Sequence, residues 1–205
     1  MVHIIEITYN RPFQQDGSYD DYLKRPTDLD ELVNLTRAWK DGEDIGSLTS
    51  DQIPKSIKIK GIKKTTKLPD AFRVLNALPL VSDALRDVIE RMDPGIHQFF
   101  PVDLTLPAGR KPETGFNVII VTTKKKTILS ELSEVSGPRY GTAYTLKSPG
   151  SKVVFSPRCL EGSNIWREVG YRGRLFISNE LESVIRSEKL KFLKYWPGEI
   201  SGYQN

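Results

Sequence analysis

LVSDALRDVIERMDPGIHQFFP (80–101) and FISNELESVIRSEKLKFLKYWP (176–197) align without a gap over 22 positions, 96 residues apart. Five positions are identical: Ser82/Ser178, Leu85/Leu181, Val88/Val184, Ile89/Ile185 and Pro101/Pro197. Six more are close in type, among them Asp83/Asn179, Phe99/Tyr195 and Phe100/Trp196. Each stretch reads as an apolar strand end, a Ser-Asp or Ser-Asn cap, a short amphipathic helix, and an aromatic strand closed by a proline. Leu85, Val88, Ile89 and Met92 fall at i, i+3, i+4 and i+7, one face of a helix, and Leu181, Val184 and Ile185 repeat the first three. Arg86 and Glu182 fall on the opposite, surface side. Ser82 and Ser178 can accept from the free N–H groups of the first turn, with Asp83 or Asn179 as the alternative cap. Asp93-Pro94-Gly95 ends the first helix, since proline cannot continue it and glycine turns freely. The match predicts two equivalent strand–cap–helix–strand modules. It carries no chemistry, and the two serines read as caps rather than nucleophiles.

The rest of the chain supplies further strands. HIIEITY (3–9) reads as an N-terminal strand, TDLDELVNLTRAW (27–39) as a helix, and SIKIKGI (56–62) as a strand with one wet face. DAFRVLNALPLV (70–81) reads as one strand feeding the first module. LPAGRKPETG (106–115) is a Pro/Gly loop, NVIIVTT a buried β-branched strand, and 133–151 mostly loop. The mixture predicts an α+β fold, a mixed or antiparallel sheet with packed helices. A division near 65–70 would separate an acidic N-terminal region (1–70) from an α+β region (71–205), although one continuous domain fits the pattern equally.

LPLVSDALRDVIERMDPGIHQFFPVDL (78–104) and RLFISNELESVIRSEKLKFLKYWP (174–197) resemble the two ends of immunity protein family eleven, a bacterial family of polymorphic toxin systems. GFNVIIVTT (115–123) and KVVFSPRCLEGSNIWREV (152–169) stand where the family has its central strand-rich stretch. The resemblance covers about residues 72–197. In place of the family's acidic residue after the central strand stand Lys124, Lys125 and Lys126. The resemblance implies a non-enzymatic protein that binds and neutralises a cognate toxin.

Composition sets bounds of its own. With 205 residues, 38% hydrophobic and 27% charged, the chain is an ordinary globular one. Cys159 is the only cysteine, so no intrachain disulfide can form. The start, MVHIIEITYN, lacks the basic region and apolar core of a signal peptide, and no apolar run approaches the roughly 20 residues of a membrane span. A cytoplasmic protein with no membrane partner is expected.

Catalytic signatures are missing. His3 and His97 are the only histidines, and His97 reads as a partly buried packing residue. A His/Cys metal site lacks ligands, and the calcium-like Asp16, Ser18 and Asp20 lack the glycine and glutamate that complete such a loop. Phosphate-loop, dinucleotide and nucleophile-elbow motifs do not occur. Neither catalytic residue, metal nor cofactor is expected.

The net charge of +4 divides unevenly: −6 over residues 1–54 and +10 over the remainder. Such asymmetry concerns partners and encounter rates rather than fold. Asp41, Glu43 and Asp44, on the loop after the Trp39 helix, are the candidate toxin-steering residues. The competing reading is a nucleic-acid-associated protein, with Lys58, Lys60, Lys63 and Lys64 of the 55–67 stretch as phosphate contacts, helped by Lys124–Lys126. That stretch has no aromatic for stacking and no arginine for base contact, which favours a solvated strand face. Trp39, Trp166 and Trp196 have apolar neighbours and read as core.

Overall fold

A computed structural model describes residues 1–6, 53, 55–59, 67–74, 78–136, 145–146, 151–171, 174–191 and 194–202. The elements in chain order are β1 (Val2–Glu6), β2 (Ser56–Lys58), β3 (Ala71–Val74), β4 (Leu78–Ser82), α1 (Asp83–Met92), β5 (Gln98–Thr105) and β6 (Phe116–Ile120). There follow β7 (Lys124–Lys125), β8 (Val135–Ser136), β9 (Thr145–Leu146), β10 (Val154–Phe155), β11 (Ile165–Glu168), β12 (Leu175–Ser178), α2 (Asn179–Ser187) and β13 (Lys194–Ile200). Among the described residues, three short 3-10 turns, at Pro107–Gly109, Ser130–Leu132 and Pro157–Leu160, punctuate the connections. The fold is α+β and dominated by two mixed sheets. One has six strands in the order β10-β13-β1-β12-β11-β7, the other five in the order β2-β5-β6-β4-β3. β8 and β9 form a separate ribbon.

Five strands of each sheet share one pattern. β2-β5-β6-β4-β3 and β10-β13-β1-β12-β11 both start with a parallel pair followed by three antiparallel pairs. Registers agree as well. Asn117 of β6 lies opposite Val81 and Pro101, and Val118 opposite Leu80 and Phe100. His3 of β1 lies opposite Ile177 and Pro197, and Ile4 opposite Phe176 and Trp196.

Strand alternation divides the core into three layers. One face of the five-stranded sheet contributes Phe72, Leu80, Phe116, Val118 and Ile120, with the Phe72 and Phe116 rings edge to face at 5.3 Å. One face of the six-stranded sheet contributes Val2, Ile4, Phe155, Trp166 and Phe176, with Trp166 stacked on Phe176 at 6.1 Å. The remaining faces meet the helices in a shared middle layer. There Val81 and Ile119 of one sheet, and Ile165 and Ile177 of the other, enclose Leu85, Val88 and Ile89 of α1 and Leu181 and Ile185 of α2. The amphipathic stripe thus decides which side of each helix is covered.

Four sequence expectations change. The run 70–81 is two strands, because Ala71–Val74 turns back antiparallel on Leu78–Ser82; between the two strands only Asn76 marks the reversal in sequence. Pro101 and Pro197 do not close their strands, which run on to Thr105 and Ile200. The parallel neighbours β2 and β10 pair only from Asp103 and Glu199 onward, so each proline stands where that edge requires no N–H. Glu182, read as surface, is buried and accepts from Arg186 Nε at 2.8 Å and Nη2 at 2.5 Å. The exposed guanidinium reaches back one helical turn to serve it. His97, read as partly buried, has a side chain wholly covered. The helix expected at 27–39 falls outside the described residues, as does most of 133–151.

Candidate functional site

Both α1 and α2 begin on a serine that works in two directions. Ser82 Oγ accepts from Leu85 N–H at 3.2 Å and donates to Asp70 Oδ1 at 2.7 Å. Ser178 Oγ accepts from Leu181 N–H at 3.1 Å and donates to Asn164 Oδ1 at 2.6 Å. Asp70 and Asn164 directly precede β3 and β11, and each accepts through its carbonyl from the N–H of its serine, at 2.8 and 2.9 Å. Each also reaches the far end of the other helix. Asp70 Oδ2 accepts from Lys191 N–H at 2.6 Å, beyond α2; Asn164 donates through N–H and Nδ2 to Asp93, at the end of α1. The caps are therefore crossed ties between the two sheets.

Asp93 is the busiest of these groups. Its carboxylate, 2% exposed, accepts from the N–H groups of Asn164 (2.8 Å) and Ile165 (3.0 Å), Asn164 Nδ2 (2.9 Å), Ser163 Oγ (2.6 Å) and His97 Nε2 (3.1 Å). Burial alone would raise its pKa. The hydrogen bonds from His97, Ser163 and Asn164 outweigh burial and hold it well below the usual carboxylate range. Serine, histidine and aspartate here invite comparison with a hydrolytic triad, but the geometry differs. A relay needs serine on one ring nitrogen and aspartate on the other. Asp93 Oδ2 and Ser163 Oγ both lie on Nε2, the latter at 3.2 Å, while Nδ1 is buried without a partner. The cluster is a closed structural knot.

A second buried network lies under the β7–β11 edge. Glu168, 4% exposed, accepts from Thr127 N–H (2.8 Å), Trp166 Nε1 (3.0 Å) and the Thr127 hydroxyl. Burial pushes its carboxyl above the ordinary range despite those donors. Lys125 donates to the carbonyls of Cys159 (2.9 Å) and Ser163 (2.8 Å), and its Nζ lies 4.0 Å over the Trp166 ring. Burial lowers its pKa. Of the three-lysine run, only Lys124 and Lys126 face solvent. Burial also pushes the Cys159 thiol up to about 11, which leaves little nucleophilic thiolate.

A concave surface lies elsewhere among the described residues. A groove of about 660 Å³ opens between the approach to β3, the β5–β6 loop and the chain leaving α2. Leu68, Leu106, Pro112 and Phe116 give it an apolar lining, and five cations stand around it against Asp70 and Glu113. Lys67 pairs with Glu113 at 3.3 Å and Lys111 with Asp103 at 2.5 Å, while Asp70 is occupied by Ser82 and Lys191 N–H. Arg110, Lys189 and Lys191 are exposed and have no carboxylate partner among the described residues. Lys189 closes α2 at φ +57, with Leu190 N–H bonded to Ile185 O and Lys189 N–H to Arg186 O. Glycine is the usual residue at that position, and a side chain there costs about 1–2 kcal/mol. Ala108, on the opposite wall's loop, is likewise at positive φ, 63.

Among the candidate residues named from sequence, Ser82 and Ser178 stand at the helix starts just described. Lys58 is exposed on β2 between buried Ile57 and Ile59. Lys60, Lys63, Lys64, Asp41, Glu43 and Asp44 lie outside the described residues. Sequence reasoning missed Asp93 as a hub and Arg110, Lys189 and Lys191 as one surface, because their partners come from distant parts of the chain. Among the described residues, no cluster of three or more His, Cys, Asp or Glu could hold a metal, and no helix is long and apolar enough to cross a membrane.

A family model described as Immunity protein family (Imm11) matches residues 10–199. The chain belongs to this family. Imm11 similarity therefore starts well before the 72–197 span in which the sequence resemblance was read, and takes in the acidic N-terminal stretch. No curated protein matches this Imm11 chain.

Proposed function

We propose that this Imm11 protein neutralises a cognate bacterial toxin by binding it, in the cytoplasm and without catalysing a reaction of its own. The observation that carries this reading is the family match over residues 10–199. The closed knot at Asp93 and the wrong-nitrogen geometry at His97 agree with a binding role. The test is co-expression with the toxin encoded beside this chain's gene. Rescue of growth together with a purified toxin complex is expected; a toxin that neither binds nor is neutralised removes the reading.

Three finer points belong to the same reading. We infer that the halves are copies of one strand–Ser cap–helix–strand module, and that β1 fills, from the N-terminus, the position β6 fills in the first copy. The shared registers and crossed serine ties support this. The placement of β1 inside one sheet and β2 in the other supports one continuous domain over a break at 65–70. Asp41, Glu43 and Asp44 are proposed to steer a basic face of the toxin. Reversing all three to lysine is expected to lower the association rate sharply at low salt and little at high salt. Equal rates at both would take this loop out of the encounter.

A further inference from the structure

We infer that the groove between the β5–β6 loop and the end of α2 is a docking surface for an acidic polypeptide segment of the toxin. This rests on the toxin-binding reading and names the surface and the partner chemistry.

Charge comes first. Two of the five cations around the groove are paired, leaving Arg110 on one wall and Lys189 and Lys191 on another with no carboxylate of their own among the described residues. Unpaired like charges around a concavity repel one another. An anionic partner relieves that repulsion and is drawn in at long range. The backbone adds a separate observation. Lys189 holds a left-handed conformation where glycine would fit without cost, so the chain places a cation at the groove despite strain.

The lining selects the class of anion. Leu106 and Phe116 are buried beneath the groove, with Leu68 and Pro112 half-buried beside them, which suits apolar side chains between carboxylates. A nucleic-acid track would call for exposed aromatics on which bases stack. The one aromatic of the lining, Phe116, is 3% exposed. Asp70 and Glu113 would also oppose a continuous phosphate backbone, whereas a peptide can set its own basic or neutral residues against them. Arg110 supplies the planar fork that grips a carboxylate through two parallel hydrogen bonds.

The test is association kinetics of the full chain with the purified toxin encoded beside its gene, using Arg110→Glu, Lys189→Glu and Lys191→Glu combined. The reversal is expected to slow association by about 10- to 1,000-fold at low salt, with convergence at high salt. Polyglutamate should compete with the toxin for the wild-type chain. Should the reversal fail to fold, Arg110→Gln, Lys189→Gly and Lys191→Gln combined is read in the same way, since glycine suits the backbone at 189. Unchanged rates in a folded variant, with the wild type still capturing toxin, overturn the groove and leave the toxin reading intact. A wild-type chain that does not bind the toxin overturns both. A thymine oligonucleotide that binds more tightly than polyglutamate and displaces it overturns the polypeptide assignment in favour of nucleic acid.

Discussion

Asp93→Ala is expected to cost about 3–5 kcal/mol of folding stability, most or all of what a marginally stable domain possesses. Five donors from four residues converge on this carboxylate, and three of the residues lie some 70 positions along the chain. Alanine leaves them covered and unpaired. Each stranded donor costs about 1–3 kcal/mol, tempered by whatever water enters. Asp93→Asn keeps the shape but turns one acceptor into a donor that faces the Asn164 and Ile165 N–H groups, so an intermediate loss is expected. Urea midpoints of the three proteins provide the measurement. A loss below about 1 kcal/mol for the alanine variant would show that the knot is incidental.

Acid should reproduce part of that loss. The folded-state pKa of Asp93 lies below its ordinary value of 3.8, so its contribution is complete above about pH 4. It fades as pH falls further toward the folded-state value. Glu168 acts in the opposite sense: burial raises its pKa, so its contribution is present below its ordinary 4.5 and is lost as pH rises through the folded-state value. Comparing wild type with Asp93→Asn across that range cancels the Glu168 effect. The wild-type advantage should shrink below about pH 4.

How much of this was legible in sequence depended on how local the cause is. Ile57 and Ile59 alternate with Lys58, and the pleat buries the first two and exposes the third, as a period of two requires. The helix stripe Leu85, Val88 and Ile89 needs only a period of 3.6, and all three are covered. The reversal inside 70–81 was hidden because its one proline, Pro79, stands inside β4 rather than between the strands, and Asn76 alone is a weak turn signal. The exposure of Glu182 was misread because periodicity assigns a face but does not know that Arg186, four residues on, can cover a carboxylate. The candidate groove was invisible for another reason. Arg110, Lys189 and Lys191 are ordinary surface cations in sequence, and only the packing of α2 beside the β5–β6 loop makes them neighbours. Asp93 was legible as a helix terminator; its role as the tie between sheets depends on residues 163–165.

Leu85→Ala and Leu181→Ala should each lower stability by about 2–5 kcal/mol, the range for a leucine truncated in a close-packed core. Both are wholly covered and belong to the same middle layer. That shared layer makes a further demand. If the helices support one another across it, the double variant should depart from the sum of the singles by at least about 0.5 kcal/mol, because a cavity at one position lets the other relax. Val88→Ala should cost more than Val184→Ala, since Val88 is 1% exposed and Val184 only half-buried. Arg86→Ala, on the outer face beside exposed Asp87, should stay within about 0.5 kcal/mol. Glu182→Ala should exceed that figure, since the covered carboxylate has Arg186 committed to it. Denaturant unfolding of the set measures all of these. Strict additivity of the two leucines would mean that each helix packs on its own sheet alone. The middle layer would then be two cores in contact rather than one.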